Sequence, residues 1–330
     1  MVFPDDSWPH GLKGGSRSSF LGIETNILEE THGEQVDFAE PEWERHESQV
    51  ADSSVLPRGD SKAREVRALT SRAEHQRVTV RRTHEGPLLG MHQKSSVTHA
   101  GKTTHFDVSY LAKLGQHGAD LAQAILQNCE RDYTTLQQVF SGITPQQLPF
   151  IVQITDDSTG ASHSSCLGTD IAVGGKSGGN VDFIRSLLVA EADEVFMANF
   201  GHGWDCGASA GEGLSRVLAN DIYKGVEPAD FISSDVWLNL NPRPNFVDHA
   251  KPTDIDYPSI GCSALFLNWL RFQLKHNWTE IVAASGATLA ATYKNLTGKS
   301  TGWKDFETLI NKEFPAGQQY NLNTDNPFPI

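Results

Sequence analysis

Three glutamates near the middle of the chain have the residue type and spacing that carboxylate chemistry requires. Glu191 and Glu194 are three positions apart, so on a helix their side chains project from neighbouring points of one face. Glu212 stands at the start of the next predicted helix and can point back toward them. The flanking sequence LLVAEADEVFMANF is strongly apolar, which favours carboxylates close to the core and a general-base role for them. The alternative is that Glu191 and Glu194 occupy the solvent face of an amphipathic helix.

Two helices joined by a turn must position these glutamates. In the first helix, apolar residues recur at helical spacing: Phe183, Ile184, Leu187, Leu188, Val195 and Phe196. In the second, the apolar side is formed by Leu214, Val217, Leu218 and Ile222. The connecting stretch GHGWDCGASAG has four glycines in eleven residues, so the chain must turn there. We therefore predict that a helix–turn–helix over 181–223 is the centre of the fold.

Two short motifs resemble known sites but fail on their context. Gly175-Lys176-Ser177 follows a predicted strand as a Walker A lysine would, but Asp170 stands where that motif requires glycine, and its carboxylate would repel phosphate. The stretch 207–211 matches GxSxG, yet a helix and a turn precede it instead of the strand that a nucleophile elbow needs. Ser209 and Glu212 form the pattern S-x-x-E, so we predict that Ser209 caps a helix.

Histidines and cysteines give no metal motif. His163, His202 and His249 fall in predicted loops, and no pair has the i, i+4 spacing of a helical metal site. The four cysteines lack any CxxC pairing, so no zinc ribbon is predicted. They are compatible with two disulfides or with four buried thiols; their positions are Cys129, Cys166, Cys206 and Cys262.

Charge and composition exclude several classes of partner. The net charge is −14 over 330 residues, and residues 105–330 carry 14 basic against 25 acidic residues. An acidic protein of this kind is not expected to bind nucleic acid, which requires basic surface, but it suits a cation or a basic ligand. The N-terminal MVFPDDSWPHGLKGG has no apolar core, so no secretory signal peptide is predicted, and no run of about 18 apolar residues predicts a membrane span.

The chain divides into two regions by composition. Residues 1–104 are rich in Arg, Glu, Ser, His and Gln and poor in apolar residues, so we predict a disordered or weakly ordered extension. Residues 105–330 read as a strand, one long helix over 118–140, two strands at 148–155 and 166–175, the central helices, a long ordered loop and three C-terminal helices. The fold class predicted for 105–330 is α+β, with a small sheet packed on several helices.

This order of elements resembles the gluzincin metallopeptidases, in particular the basic secretory protein peptidase family. LLVAEADEVFMANFGHGW aligns with the helix that carries H-E-x-x-H in that family, and GEGLSRVLANDIY with the helix that supplies a glutamate ligand. ALFLNWL and IVAASGATLAATYKNLTG are similar to its closing helices. The resemblance implies a zincin-like fold over about 105–315, in which Glu191 takes the place of the general base and Glu212 that of the glutamate ligand.

The chain departs from the family at the two histidine ligands. Ala190 and Glu194 stand where the family has its first and second histidine, and alanine has no atom that can bind a metal. Carboxylates without imidazole suit a hard cation such as calcium better than zinc. We therefore expect a degenerate zinc site, no assigned cofactor, and a non-catalytic protein that binds a peptide, a protein or a small molecule in the groove between the sheet edge and the 181–200 helix. The alternative is an active, peptidase-like hydrolase with Glu191 as general base and Glu194 or Glu212 as its partner.

Overall fold

A mixed β-sheet of five strands forms one side of the structure. The computed structural model describes residues 96–156, 160–175 and 180–330, and all of these belong to one compact unit. The strands are β1 Val97–Lys102, β2 Phe106–Leu111, β3 Phe150–Thr155, β4 Ala161–His163 and β5 Asp170–Gly174. Their order in the sheet is β1-β2-β3-β5-β4. The central β2, β3 and β5 are parallel, whereas the edge strands β1 and β4 run antiparallel to their neighbours.

Nine α-helices accompany the sheet within the described residues. They are α1 Gly115–Leu126, α2 Cys129–Val139, α3 Val181–Phe200, α4 Ser209–Ile222, α5 Ser234–Leu238, α6 Tyr257–Asn268, α7 Trp278–Ala283, α8 Leu289–Thr297 and α9 Gly302–Glu313. A 3₁₀ turn at Ala112–Leu114 precedes α1, and a π-helical turn at Trp269–Gln273 extends α6. None of the described helices is long and apolar enough to cross a membrane. The α+β class is therefore confirmed, with a small sheet packed on several helices.

Alternating side chains of the parallel strands form one half of the core. In β3, Phe150, Val152 and Ile154 are fully buried while Ile151 between them is 42% exposed, so only one face of the sheet is covered by helices. The buried residues of β2 and β5 lie on the same face: Phe106, Val108, Ile171 and Val173. Helices α1 and α3 pack against this face. This packing fixes α3 relative to the sheet and to its edge strand β4.

Three local predictions differ from the structure. The helix predicted over 118–140 is interrupted at Gln127 and Asn128, so α1 and α2 are separate helices. The second of the three predicted C-terminal helices is likewise divided, into α7 and α8. Strand β1 lies inside the segment 1–104, for which no ordered structure was predicted. It is ordered because it pairs with β2 at the edge of the sheet. The rest of that segment, residues 1–95, lies outside the described residues.

Helix α4 approaches its neighbours too closely for side chains at two positions. A Cβ on Gly213 would lie 2.6 Å from the Cβ of Ser263 on α6, and a Cβ on Gly211 would overlap the backbone carbonyl of Asp205. Glycine therefore allows α4 to pack on both α6 and the turn that follows α3. This close packing places Glu212, which lies between the two glycines, beside α3.

Gly211→Ala is expected to destabilise the protein by about 1–3 kcal/mol, because the added methyl group would push the backbone at Asp205 away from α4. The measurement is the free energy of unfolding from denaturant titration. Gly207→Ala is the matched control in the same turn: its Cβ would meet nothing nearer than 3.5 Å, so its effect is expected to stay within about 1 kcal/mol. Equal losses in the two variants would contradict the close approach of α4.

Candidate functional site

Helix α3 is buried on most of its circumference and yet carries three acidic residues in four positions. Its N-terminus is capped by Asn180, whose side chain accepts hydrogen bonds from the amides of Asp182 and Phe183, and its C-terminus by Gly201 in the left-handed conformation. Thirteen of its twenty residues are buried, including Glu191, Asp193 and Glu194. The interpretation of Glu191 and Glu194 as solvent-facing residues is therefore wrong. A charge that is buried in this way requires compensation.

The compensation for Glu191 and Glu194 comes from His163 on the edge strand β4. The Nδ1 atom of His163 lies 2.6 Å from a carboxylate oxygen of Glu191, and its Nε2 atom lies 3.6 Å from an oxygen of Glu194. All three side chains are buried, with exposures of 2%, 9% and 1% for His163, Glu191 and Glu194. We call these three residues the His163 cluster. Both ring nitrogens therefore face carboxylate oxygens.

His163 was predicted to lie in a loop, and the structure corrects this. It is the last residue of β4, which pairs with β5 and packs over α3. A strand of three residues among turn-forming serines and glycines has no periodicity that sequence reasoning can detect. The structure thus brings together Glu191 and Glu194, which were predicted as site residues, and adds a histidine that was not.

Asp193 is the third acidic residue of α3 and has a different environment. It is completely buried, and neither of its carboxylate oxygens has a hydrogen-bond partner among the described residues. This burial raises the pKa of Asp193 well above its ordinary value, because removal from water disfavours the charged form. It lies on α3 next to Glu194 but is not one of the residues that line the cavity described below.

A cavity adjoins the His163 cluster on the side of α4. Its volume is about 90 Å³, whereas a single water needs about 10–15 Å³, so a small group or a side chain fits. Five carboxylates and one guanidinium line it: Glu191, Glu194, Glu212, Glu227, Asp254 and Arg216. All three glutamates predicted as site residues therefore border one cavity. Acidic side chains outnumber basic ones in its wall.

Glu212 and Arg216 form an ion pair in the wall of the cavity. The Nε atom of Arg216 donates to a carboxylate oxygen of Glu212 at 3.0 Å, one helical turn away on α4. The guanidinium also donates to the backbone carbonyl of Phe231 and lies over the rings of Phe231 and Tyr257. The charge of Glu212 is therefore matched by Arg216.

Glu227 adds a carboxylate with a shifted pKa to the same wall. Its carboxylate accepts a hydrogen bond of 3.1 Å from the side-chain amide of Asn220. Burial, and then the nearby charge of Asp325, raise the pKa of Glu227 to about 8, while Arg216 acts in the opposite direction. At neutral pH most Glu227 side chains are therefore protonated, and the cavity becomes more negative as the pH rises through 8.

A disulfide lies at the other end of the His163 cluster. Cys166 and Cys206 are bonded, which joins the loop after β4 to the turn between α3 and α4. Cys129 and Cys262 are buried free thiols. The four cysteines thus form one disulfide and two buried thiols, which differs from both alternatives that the sequence left open, two disulfides or four buried thiols. The bond fixes β4 against α3, which helps to hold His163 over Glu191 and Glu194.

Ser209 does not cap α4 through its side chain, contrary to the sequence-based prediction. It is the first residue of the helix, after Ala208. Its hydroxyl accepts a hydrogen bond from the backbone amide of Lys251 instead, and its own amide donates to the carbonyl of Lys251. These bonds tie the helix start to the segment that precedes α6. Ser209 is also completely buried, so it is not placed to attack a substrate.

The residues at the ligand positions of a gluzincin do not fit a zinc ion. Ala190 lines the cavity without a ligand atom. Glu212 is held by Arg216, and Glu194 faces the imidazole of His163. Only two carboxylates remain at the three positions, and zinc sites of this type use two imidazoles and one carboxylate. No catalytic step through a zinc ion at these positions is therefore derived.

Comparison of the chain with protein-family models, with curated proteins and with solved structures gives no match.

Proposed function

We propose that this protein is a zincin-like α+β domain with a degenerate metal site, which binds a cationic ligand such as a lysine side chain of a peptide. The observation that carries the proposal is the cavity beside α3, where five carboxylates face one guanidinium. The zincin-like assignment is supported by the order of elements, since α3, the glycine-rich turn and α4 bring Glu191, Glu194 and Glu212 to one cavity. The protein does not use zinc for this binding.

The charge and the size of the cavity together indicate the class of ligand. An ammonium group gains favourable Coulomb energy in an acidic, partly enclosed cavity, because its attraction to the carboxylates is less screened there than in water. The volume is sufficient for an alkylammonium group, and the apolar residues Phe183, Leu187 and Val226 line the same cavity and can contact the methylene groups. A peptide is therefore expected to place a lysine side chain here while its backbone lies near the edge strand β4.

The proposal is tested by calorimetric titration with N-acetyl-lysinamide and, as its neutral control, N-acetyl-norleucinamide. We expect the lysine compound to bind at least about tenfold more tightly, which corresponds to about 1.4 kcal/mol from the ammonium charge. Asp254→Asn removes one charge from the cavity wall and is expected to weaken binding about fivefold, whereas Asp120→Asn, on the exposed side of α1, leaves it unchanged. Equal affinity for the two compounds, or no binding of either, would contradict the proposal.

The affinity for N-acetyl-lysinamide is expected to rise about three- to eightfold between pH 7 and pH 9. The reason is that Glu227, with a pKa of about 8, loses its proton in this range and adds a negative charge to the wall, which is worth about 1–2 kcal/mol at the distances across the cavity. The ligand keeps its own charge because an alkylammonium titrates at about pH 10. The measurement is the dissociation constant across this pH range. The rise should be absent in Glu227→Gln; a rise of the same size in that variant would show that another group is responsible.

A second candidate function, an active hydrolase, is favoured by one observation: Glu191 lines the cavity and is held by the Nδ1 atom of His163. In that case Glu191 would accept a proton from a water molecule in the cavity, with Glu194 or Glu212 as its partner. The two functions are separated by Glu191→Gln. Peptide hydrolysis by the wild type that is lost in the folded variant supports the hydrolase, whereas ligand binding without any turnover by the wild type supports the binding protein.

A further inference from the structure

The sulfur atoms of the disulfide lie beside the His163 cluster. One ligand atom from each of His163, Glu194 and Cys206 lies within 4.8 Å of the others. A second group shares Cys206: ligand atoms of Cys166, Asp205 and Cys206 also lie within 4.8 Å of one another. Side chains from β4, from α3 and from the turn between α3 and α4 therefore converge on the Sγ atom of Cys206.

The disulfide keeps these sulfurs from acting as metal ligands, because only a thiolate binds zinc strongly. We propose that reduction of the Cys166–Cys206 disulfide creates a zinc site formed by His163, Glu194 and Cys206, with Cys166 as the fourth ligand. The site is distinct from the metal position implied by the gluzincin resemblance. That position is formed by Ala190, Glu194 and Glu212, and only Glu194 belongs to both. It shares Glu194 with the cavity proposed to bind a cationic ligand, but it does not require that ligand.

The donor atoms suit zinc better than a hard cation. Two thiolates, one imidazole and one carboxylate are ligands that zinc binds in tetrahedral geometry, whereas calcium and magnesium take oxygen ligands. Tetrahedral zinc ligands lie about 3.3–3.8 Å apart. The ligand atoms of His163, Glu194 and Cys206, which lie within 4.8 Å of one another, must therefore approach by at most about 1.5 Å. Cys166 joins them by side-chain rotation in the loop after β4 once the sulfurs are separate.

Glu191 gives His163 the orientation that a zinc ligand requires. It holds the Nδ1 atom of the imidazole at 2.6 Å, while Nε2 faces Glu194 at 3.6 Å. Histidines that bind metals commonly donate their other ring nitrogen to a carboxylate, which fixes the tautomer and the ring direction. Glu191 is thus a positioning residue for the proposed site, and Nε2 is the nitrogen that binds.

Reduction is open to a thiol reductant from the side of Cys166. Cys206 is 3% exposed, but Cys166 is half-buried and its neighbours Ser165 and Leu167 are exposed. A thiolate of a dithiol attacks the Sγ atom of Cys166, and Cys206 leaves as a thiolate. The second thiol of the reductant then displaces Cys166, so that the reductant becomes a cyclic disulfide and the protein receives two electrons and two protons. Binding of Zn²⁺ releases the two thiol protons to solvent.

The test compares the oxidised and the reduced full chain in zinc titrations. The reductant is a phosphine, because a phosphine does not compete for zinc as a dithiol would. It takes the oxygen of one water molecule and becomes a phosphine oxide, and the two hydrogens of that water go to the two thiols. We expect the reduced protein to bind one additional zinc ion, and cobalt in its place to show a thiolate-to-cobalt charge-transfer band. The oxidised protein should bind neither ion at this site. Equal binding in both states, or none in the reduced state, overturns the proposal.

Variants make the test independent of the stability of the reduced protein. Cys166→Ser leaves Cys206 free without any reductant and should bind zinc, more weakly, through the three remaining ligands. In the reduced protein, His163→Gln should abolish the stoichiometric site, and Glu191→Gln should weaken it about 10- to 100-fold through the lost orientation of the imidazole. Cys262→Ala removes a buried thiol elsewhere and should change nothing. Full zinc affinity in reduced His163→Gln, or no zinc in folded Cys166→Ser, would refute the assignment.

Discussion

His163→Gln is expected to lower the free energy of unfolding by about 3–5 kcal/mol at pH 7. In the wild type the imidazole lies between the carboxylates of Glu191 and Glu194, at 2.6 and 3.6 Å. Replacement by glutamine removes the imidazole that contacts two buried carboxylates, and the loss of a contact to buried charged groups is greater than the value of a surface ion pair. The measurement is denaturant unfolding of the oxidised protein.

The same reasoning predicts that the loss is reversed by neutralising the carboxylates. The triple variant with Gln at 163, 191 and 194 should recover most of the stability, because side chains in direct contact have strongly non-additive effects. His99→Gln is the matched control, since His99 pairs with Asp107 on the surface, is 63% exposed and should change stability very little. If His163→Gln is as stable as the wild type, or if the triple variant is the least stable protein of the series, the His163 cluster does not have the role described here.

Asp193→Asn is expected to stabilise the protein increasingly as the pH rises. The pKa of Asp193 in the folded protein is well above the ordinary value of 3.8, because burial disfavours its charge. The folded state thus holds a proton that the unfolded chain has released, so its stability falls with rising pH until Asp193 ionises in the folded state as well. The slope is about 1.4 kcal/mol per pH unit. Asparagine does not titrate, so the variant lacks this loss.

The difference between the two proteins is measured by denaturant unfolding at several pH values from 5 to 8. All other ionisable groups are common to both proteins, so their contribution cancels in the difference. Asp182→Asn is the control on the same helix: Asp182 is 52% exposed and pairs with Arg185, so its replacement should give a nearly constant difference across this range. A difference between wild type and Asp193→Asn that does not change with pH would contradict the isolation of this carboxylate.

Local patterns in the sequence predicted the elements that carry the site. The apolar spacing from Phe183 to Phe196 predicted α3, and the glycines of the following turn predicted its end. The capping box of Asn277 and Glu280 at the start of α7 is another local feature, because it depends only on neighbours along the chain. Patterns of this kind succeed because the interactions are contained within one or two helical turns.

The contacts that define the site could not be predicted in this way. His163 reaches Glu191 across 28 residues and two elements, and its own strand is too short to show alternation. The pairing of Cys166 with Cys206 likewise depends on how β4 lies over α3. Ser209 satisfied the local pattern of a cap, but Lys251 bonds to its hydroxyl from a distant segment. In each case the tertiary arrangement, which the pattern does not contain, determines the partner.

The oxidised protein is expected to hold a histidine, rather than a metal ion, between the carboxylates of α3 and to bind the proposed ligand without metal. The most direct test is the metal content of the purified, disulfide-bonded protein, together with its thermal melting before and after treatment with a chelator. We predict no stoichiometric transition metal, an unchanged melting temperature and unchanged binding of N-acetyl-lysinamide. A stoichiometric metal whose removal lowers the melting temperature, and whose binding is lost in Glu194→Gln, would contradict the claim.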